Sequence, residues 1–235
     1  VSMNGRIWLV GGTGTQYDYT TFGDVWSSAD GVSWRAEPAP PFGARRNVAT
    51  LVYRNRWYVA GGSDGLARNY GDVWWTEDGL QWHQPFSADG FPGTTYAYLI
   101  PFRGRVWLLG GFGSLRSTND FYSTADFRTW RFEHTSAPFP PARPGRLVSF
   151  DGKLWMIAQT TNGLMDVWWS VDGNEWTQST NASGIPSRRG FTVAVNNGRL
   201  WIQGGYRGQD PFNRLNDVWS TADGETWTQA TDNAP

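Results

Sequence analysis

A chain of 235 residues with 20 Lys+Arg against 21 Asp+Glu has a formal net charge of -1, which excludes the basic surface that bulk nucleic-acid or anionic-membrane binding needs. It contains no cysteine, which removes disulfides, thiolate metal sites and Cys nucleophiles together. No apolar run reaches the roughly 18 residues that a membrane-spanning helix needs, and the N-terminus lacks the basic-then-apolar order of a signal peptide.

From the N-terminus, Val1-Ser2-Met3 reads as the last residues of a strand and Asn4-Gly5 as a tight turn. Arg6-Ile7-Trp8-Leu9-Val10 follows, a short apolar run closed by Gly11-Gly12 and predicted as a strand buried on both faces. After the loop 13–23 come Asp24-Val25-Trp26, then Asp30-Gly31, then Trp34. Two aromatics bracketing an Asp-Gly predict a β-hairpin, with the dipeptide supplying the positive φ angles of a tight primed turn.

The same order recurs four more times. Second strands begin at Arg56, Arg105, Lys153 and Arg199, and an apolar first strand precedes each at 48–53, 97–102, 147–150 and 191–195. Double glycines close three of these second strands, at Gly61-Gly62, Gly110-Gly111 and Gly204-Gly205, while the fourth repeat has Ala158-Gln159. The hairpins run from Asp72 to Trp82, Asp120 to Trp130, Asp166 to Trp176 and Asp217 to Trp227, with Asp126-Phe127 in place of Asp-Gly in the third repeat. The Asp residues lie 48, 48, 46 and 51 apart, and a period near fifty is the mark of a propeller or solenoid.

Four strands per period predict an all-β fold, a β-propeller of four-stranded antiparallel blades. The repeats lie at about 1–44, 45–94, 95–142, 143–187 and 188–235, giving one domain of five blades. The alternative is part of a six- or seven-bladed ring, because Val1-Ser2-Met3 supplies only the end of a first strand. The uncovered edge this leaves offers self-association as one way to complete the first blade. All 16 tryptophans fall in framework positions. Each buried ring removes ~150–250 Å² from water, roughly 4–6 kcal/mol before entropy is subtracted. Packing between blades is their expected use, with Trp75 and Trp169, which replace Ser or Thr, as exceptions on an outer face.

The double glycine, the aromatic of the third strand and the Trp that closes the hairpin resemble kelch repeats. The form Asp217-Val218-Trp219 … Asp223-Gly224 … Trp227 is similar to that of many bacterial kelch-type β-propellers. The segment 220–227 also resembles the Asp-box of sialidases, with its Asp one place nearer the Trp, and is read as a structural turn. The kelch resemblance implies the propeller fold and tilts the location toward the extracytoplasmic side. Kelch-like propellers include enzymes, adaptors and binding proteins, so function must come from the site.

The loops after the second strands and the links between repeats are long and irregular, whereas the other turns are short, so the loop side is where a site is expected. Aligned on the second-strand Trp, Arg45, Thr95, Arg143 and Arg189 share one position, with Arg46, Arg146 and Arg188 close by. Each Arg is read first as pairing with a loop carbonyl or with the Asp opening the third strand; the alternative is a cationic ring for an anionic ligand. Tyr17, Tyr19, Arg68, Tyr70, Arg116, Tyr206 and Arg214 complete the candidate ligand-binding set. The five hairpin Asp residues are expected to accept hydrogen bonds within their blades rather than to hold a metal.

Two histidines, His83 and His134, leave no three-His metal site and little for a catalytic triad. No motif singles out a pair of glycosidase carboxylates, and no metal or cofactor is expected. The sequence therefore points to a non-enzymatic recognition scaffold that takes a protein partner on its loop side. A carbohydrate-binding or glycan-hydrolysing propeller is the alternative, and a purely structural repeat the third reading.

Overall fold

Each blade starts with a turn whose residues dictate its shape. Asn4-Gly5, Arg54-Asn55, Arg103-Gly104, Asp151-Gly152 and Asn197-Gly198 all have two successive positive φ angles, between 47° and 74°. That is the primed two-residue turn, whose twist matches that of the strands it joins. It pairs the first and second strands of every blade in register, as in Tyr53 opposite Arg56 and Asn196 opposite Arg199.

The computed structural model describes residues 1–14, 20–84, 91–113, 120–133, 145–159, 165–179, 184–208 and 213–234. It divides into two compact units, Val1–Glu133 and His134–Pro235. In the first unit, blade 1 comprises β1 (Ser2–Met3), β2 (Arg6–Thr13), β3 (Thr21–Ser28) and β4 (Arg35–Glu37), in that spatial order. Blade 2 comprises β5 (Ala49–Tyr53), β6 (Arg56–Ala60) and β7 (Val73–Thr76), with a bridge from Trp75 to His83 in the fourth position. Blade 3 contains β8 (Thr94–Thr95), β9 (Tyr98–Phe102), β10 (Arg105–Leu109), β11 (Phe112–Gly113), β12 (Phe121–Thr124) and β13 (Arg131–Glu133). There β9-β10-β12-β13 form the blade, and β8 pairs with β11 beside it.

The second unit holds blade 4, of β14 (Arg146–Phe150), β15 (Lys153–Gln159), β16 (Met165–Ser170) and β17 (Thr177–Gln178). Blade 5 is β18 (Thr192–Asn196), β19 (Arg199–Gln203), β20 (Val218–Thr221) and β21 (Thr228–Thr231). All pairings are antiparallel, and the chain is an all-β protein of five blades, a five-bladed β-propeller.

The Asp-Gly hairpin is built differently from the primed turn its sequence predicts. Only the glycine has a positive φ, as at Gly31 (78°) and Gly224 (80°), so the turn is wider. It is held by side chains instead. Asp30 Oδ1 accepts from the N–H groups of Val32 and Ser33 at 2.8 and 2.7 Å, and the Ser28 hydroxyl accepts from that of Gly31 at 2.8 Å. The arrangement recurs around Asp78, Asp126, Asp172 and Asp223. Three of the closing tryptophans, Trp34, Trp176 and Trp227, donate Nε1–H to the carbonyl of the turn glycine.

That glycine has a second task. A Cβ on Gly79 would lie 2.3 Å from the ring of Trp8, and one on Gly224 would lie 2.2 Å from the ring of Trp155. The second-strand indole of one blade thus rests on the bare backbone of the next blade's hairpin. Blade 2 has Tyr58 at the position of Trp8, a smaller ring, and blade 3 has Phe127 in place of the glycine. The two rings stack with centroids 3.6 Å apart and 7° between planes. Phe127 keeps the glycine's left-handed conformation, φ 61°, because its side chain is buried in that stack.

Trp75 and Trp169, expected on an outer face, are half-buried against the blade cores. In the other blades the same position is Ser, whose hydroxyl accepts from the Arg opening the second strand, as Ser27 does from Arg6 and Ser123 from Arg105. Where Trp stands instead, the cation moves over its ring: Arg56 lies 4.0 Å from the Trp75 centroid and Lys153 4.2 Å from that of Trp169.

Phe127→Gly removes the stacked ring and relieves its backbone, so it should destabilise the protein by about 2 kcal/mol, less than the usual core truncation. Tyr58→Trp alone should also destabilise, by crowding Phe127. The double variant rebuilds the pairing of blades 1 and 2, and urea denaturation should show most of the loss recovered.

Candidate functional site

The loop side of each unit begins at the double glycine. Gly12 N–H donates to the Arg45 carbonyl at 3.1 Å and Gly62 N–H to that of Thr94 at 2.8 Å. Cβ atoms on Gly11 and Gly61 would lie 2.2 and 2.5 Å from those same oxygens. The double glycine is therefore the place where the link entering the next blade crosses at backbone contact. In blade 4, Gln159 replaces the second glycine, and its side-chain oxygen accepts from Arg189 Nε at 2.5 Å.

The entering link carries the predicted arginines. Arg45 is buried, donates Nη1–H to the Gly61 carbonyl (3.0 Å) and Asp72 Oδ1 (2.7 Å), and donates Nη2–H to the Phe42 carbonyl (2.8 Å). Its equivalent in blade 5 is Arg188, not Arg189. Arg188 bonds the Gly204 carbonyl at 3.1 Å and both oxygens of Asp217 at 2.5 and 2.7 Å. The alignment that grouped Arg45 with Arg189 is one residue out, because blade 2 carries Trp57 one place earlier than the other second-strand tryptophans. On the Arg or Lys that opens the second strand, the equivalent positions are Arg45, Thr94, Ala142 and Arg188. Both described arginines at this position pair with the Asp opening the third strand and with a loop carbonyl.

Four of the five hairpin Asp residues accept side-chain hydrogen bonds within their blades. Asp24, Asp72 and Asp217 each take the Nε1–H of the Trp two residues on, at 2.6, 2.8 and 2.8 Å. Asp166 takes Gln178 Nε2 at 3.2 Å. Among the described residues, no three His, Asp or Glu side chains gather to hold a metal ion.

Of the ten candidates, Tyr17, Tyr19, Arg116 and Arg143 lie outside the described residues. In blade 2 the structure brings three of the others together. The half-exposed Tyr70 ring has the Arg45 guanidinium 4.0 Å from its centroid, and the exposed Arg68 guanidinium 4.7 Å from it. In blade 5, Tyr206 is bridged by backbone to Arg189 on one side and Arg214 on the other. Arg46 bridges to Ser63 and reaches the Gly65 carbonyl at 3.2 Å.

The loop that carries Arg68 is braced from within. Asp64 Oδ1 accepts the N–H groups of Leu66 and Arg68 at 2.8 and 3.1 Å, and the Ser63 hydroxyl accepts that of Gly65 at 3.0 Å. At its tip Leu66 is 92% exposed, a residue that sequence reasoning passed over. The only signal it gives is a lone aliphatic between Gly65 and Ala67 in an otherwise polar loop.

The backbone N–H groups of Leu66 and Arg68 hold the Asp64 carboxyl below its ordinary value. Hydrogen bonds from Ser33 and Val32 bring Asp30 to about 2, and at Asp223 the N–H of Thr226 and the Thr221 hydroxyl outweigh burial to give about 2. Burial raises Asp217, but the Arg188 guanidinium and the Trp219 indole outweigh it and leave its pKa lowered.

Fold and site thus define a five-bladed β-propeller with a braced cationic–aromatic loop in blade 2 and an Arg–Tyr–Arg bridge in blade 5. The chain matches no known protein-family model, and no curated protein shows significant similarity to it.

These carboxyls are lowered from 3.8 on folding, so their contribution to stability is whole above about pH 4 and is lost as the pH falls toward about 2. Melting temperature should therefore hold steady down to about pH 4.5 and drop between about pH 4 and 2. Asp223→Asn should lower it at neutral pH and shrink that drop. Circular-dichroism melts across the pH series check both.

Proposed function

We propose that this chain is a kelch-type β-propeller that acts as a non-enzymatic recognition scaffold, taking a protein partner on the loop side of its blades. The observation that supports it is the blade-2 loop 63–70. Asp64, Ser63 and the Arg68–Tyr70 stack order it in advance, so binding loses little conformational entropy. Its tip presents Leu66 to solvent beside the cation of Arg68, a pairing of apolar anchor and guanidinium that suits protein interfaces. The buried Arg45 and Arg188 take no part in ligand binding in this reading, since each already bonds a carboxylate and a carbonyl. The exposed cation Arg68 favours a partner segment bearing a carboxylate next to an apolar side chain.

A random-peptide display library and a glycan array, probed in parallel with the wild type and with Leu66→Ser/Arg68→Ala, test this reading. Enriched acidic–apolar peptides should bind, and the variant should weaken them at least about tenfold with its melting temperature unchanged. Glycan signal or glycan hydrolysis without peptide enrichment would replace it with the carbohydrate reading.

A further inference from the structure

Blades 2 and 3 repeat one constellation with two changes of chemistry. Phe42, Gly61, Asp72, Trp74 and Trp82 in blade 2 correspond to Phe91, Gly110, Asp120, Tyr122 and Trp130 in blade 3. The aromatic framework is preserved: Phe42 meets Trp82 edge-on at 5.0 Å and Phe91 meets Trp130 edge-on at 5.2 Å. What differs, besides Tyr122 in place of Trp74, is the residue on the entering link, Arg45 in blade 2 and Thr94 in blade 3. Among the described residues, the Thr94 hydroxyl reaches the Gly110 carbonyl, at 3.3 Å. Beyond it lies a cavity of about 30 Å³ lined by Phe91, Thr94, Gly110, Asp120 and Tyr122.

We propose that this cavity is a binding site for a guanidinium group supplied from outside the blade. In blade 2 the two terminal nitrogens of Arg45 fill the corresponding place and donate to the Gly61 carbonyl, the Phe42 carbonyl and both oxygens of Asp72. Blade 5 repeats the main bonds with Arg188, Gly204 and Asp217. The same framework thus holds a guanidinium twice in this chain. A cavity of that volume takes about two water-sized groups, the footprint of the two terminal nitrogens.

The electrostatics agree with this assignment. Asp120 lacks the two Arg donors that Asp72 has, and Tyr122 lacks the indole N–H that Trp74 gives to Asp72 Oδ2 at 2.8 Å. Among the described residues no other group takes over these roles at Asp120. A half-buried carboxylate beside an oriented carbonyl selects a planar cation with several forked donors over a compact ammonium. The source is either a small guanidinium compound or an arginine side chain of a partner. Neither depends on the blade-2 loop.

Isothermal titration with methylguanidinium and with a short arginine-containing peptide, each against methylammonium and a lysine peptide at matched ionic strength, tests the site. Guanidinium compounds should bind at least about tenfold more tightly than the ammonium ones. A response to the peptide far above that to methylguanidinium identifies a partner's arginine, and equal responses identify a small molecule. Asp120→Asn should weaken binding at least about tenfold. Thr94→Arg supplies the group within the chain, so it should abolish binding and raise the melting temperature. If Thr94→Arg fails to fold, Asp120→Asn decides alone. Binding unchanged in Asp120→Asn, or no binding of any guanidinium compound to the wild type, overturns the assignment.

Discussion

Within each unit, a large ring from one blade lies where the next blade has no side chain to obstruct it. A four-stranded blade has two faces and too few residues to cover either, so its apolar strands are stable only when a neighbour closes over them. The indoles of Trp8 and Trp155 close that gap because Gly79 and Gly224 expose backbone to them at less than the normal contact distance of a Cβ. Packing this close leaves no latitude in volume. Glycine at the hairpin is thereby required twice over, by its left-handed φ and by the ring above it. The Ser/Thr and Asp side chains that hold the wide turn are what allow one glycine to serve both demands.

On the loop side, burial of charge replaces burial of rings. The entering link crosses the preceding blade at the double glycine and is then pinned by Arg45 or Arg188 to the Asp that opens the third strand. Such buried pairs are weak evidence for net stability, because desolvating both ions offsets much of their attraction. Their effect is on geometry: a forked guanidinium bound to one carboxylate and one or two carbonyls admits a single arrangement of link, loop and strand. Tying up these arginines also determines where recognition can occur. A buried guanidinium whose terminal nitrogens are already engaged cannot also hold a ligand, so binding falls to the loop tips, where Arg68 stands on Tyr70 and Leu66 faces solvent.

The repeat, the strand order and the blade class were legible because each rests on short-range pattern: apolar runs, paired turn residues and a fixed spacing. Two of the misreadings came from asking a local pattern for more than it contains. Asp-Gly suits a primed turn, and nothing within the dipeptide reveals that the Asp caps its own loop instead. The primed turns lie one strand pair earlier, and one of them is Arg54-Asn55, with no glycine at all. The slip from Arg188 to Arg189 came from trusting tryptophan as the ruler. Trp57 occupies the strand position filled elsewhere by Ile7, Val106, Leu154 and Leu200, and the ring at the true equivalent is Tyr58. Which loop residues converge was not legible, because the stacking of Arg68 and Arg45 on Tyr70 depends on the path of an irregular loop that has no period.

Departures from the repeat carry more information than the repeat itself. Where blade 2 loses an indole at Tyr58, blade 3 gains Phe127 to fill the space. Where Trp75 and Trp169 replace serine, Arg56 and Lys153 lie as cations over the ring in place of the bond to the serine hydroxyl. Where blade 4 loses its second glycine, Gln159 receives Arg189. Each change is answered by a residue in direct contact with it, as expected of interiors that tolerate a substitution only when its volume or charge is balanced nearby. Thr94 is the departure whose counterpart is absent among the described residues. It removes a guanidinium from a carboxylate and a carbonyl that remain in place, and a half-buried Asp120 in that setting remains short of donors. By the logic of the other three, the proposed guanidinium is the counterpart that the described residues do not provide.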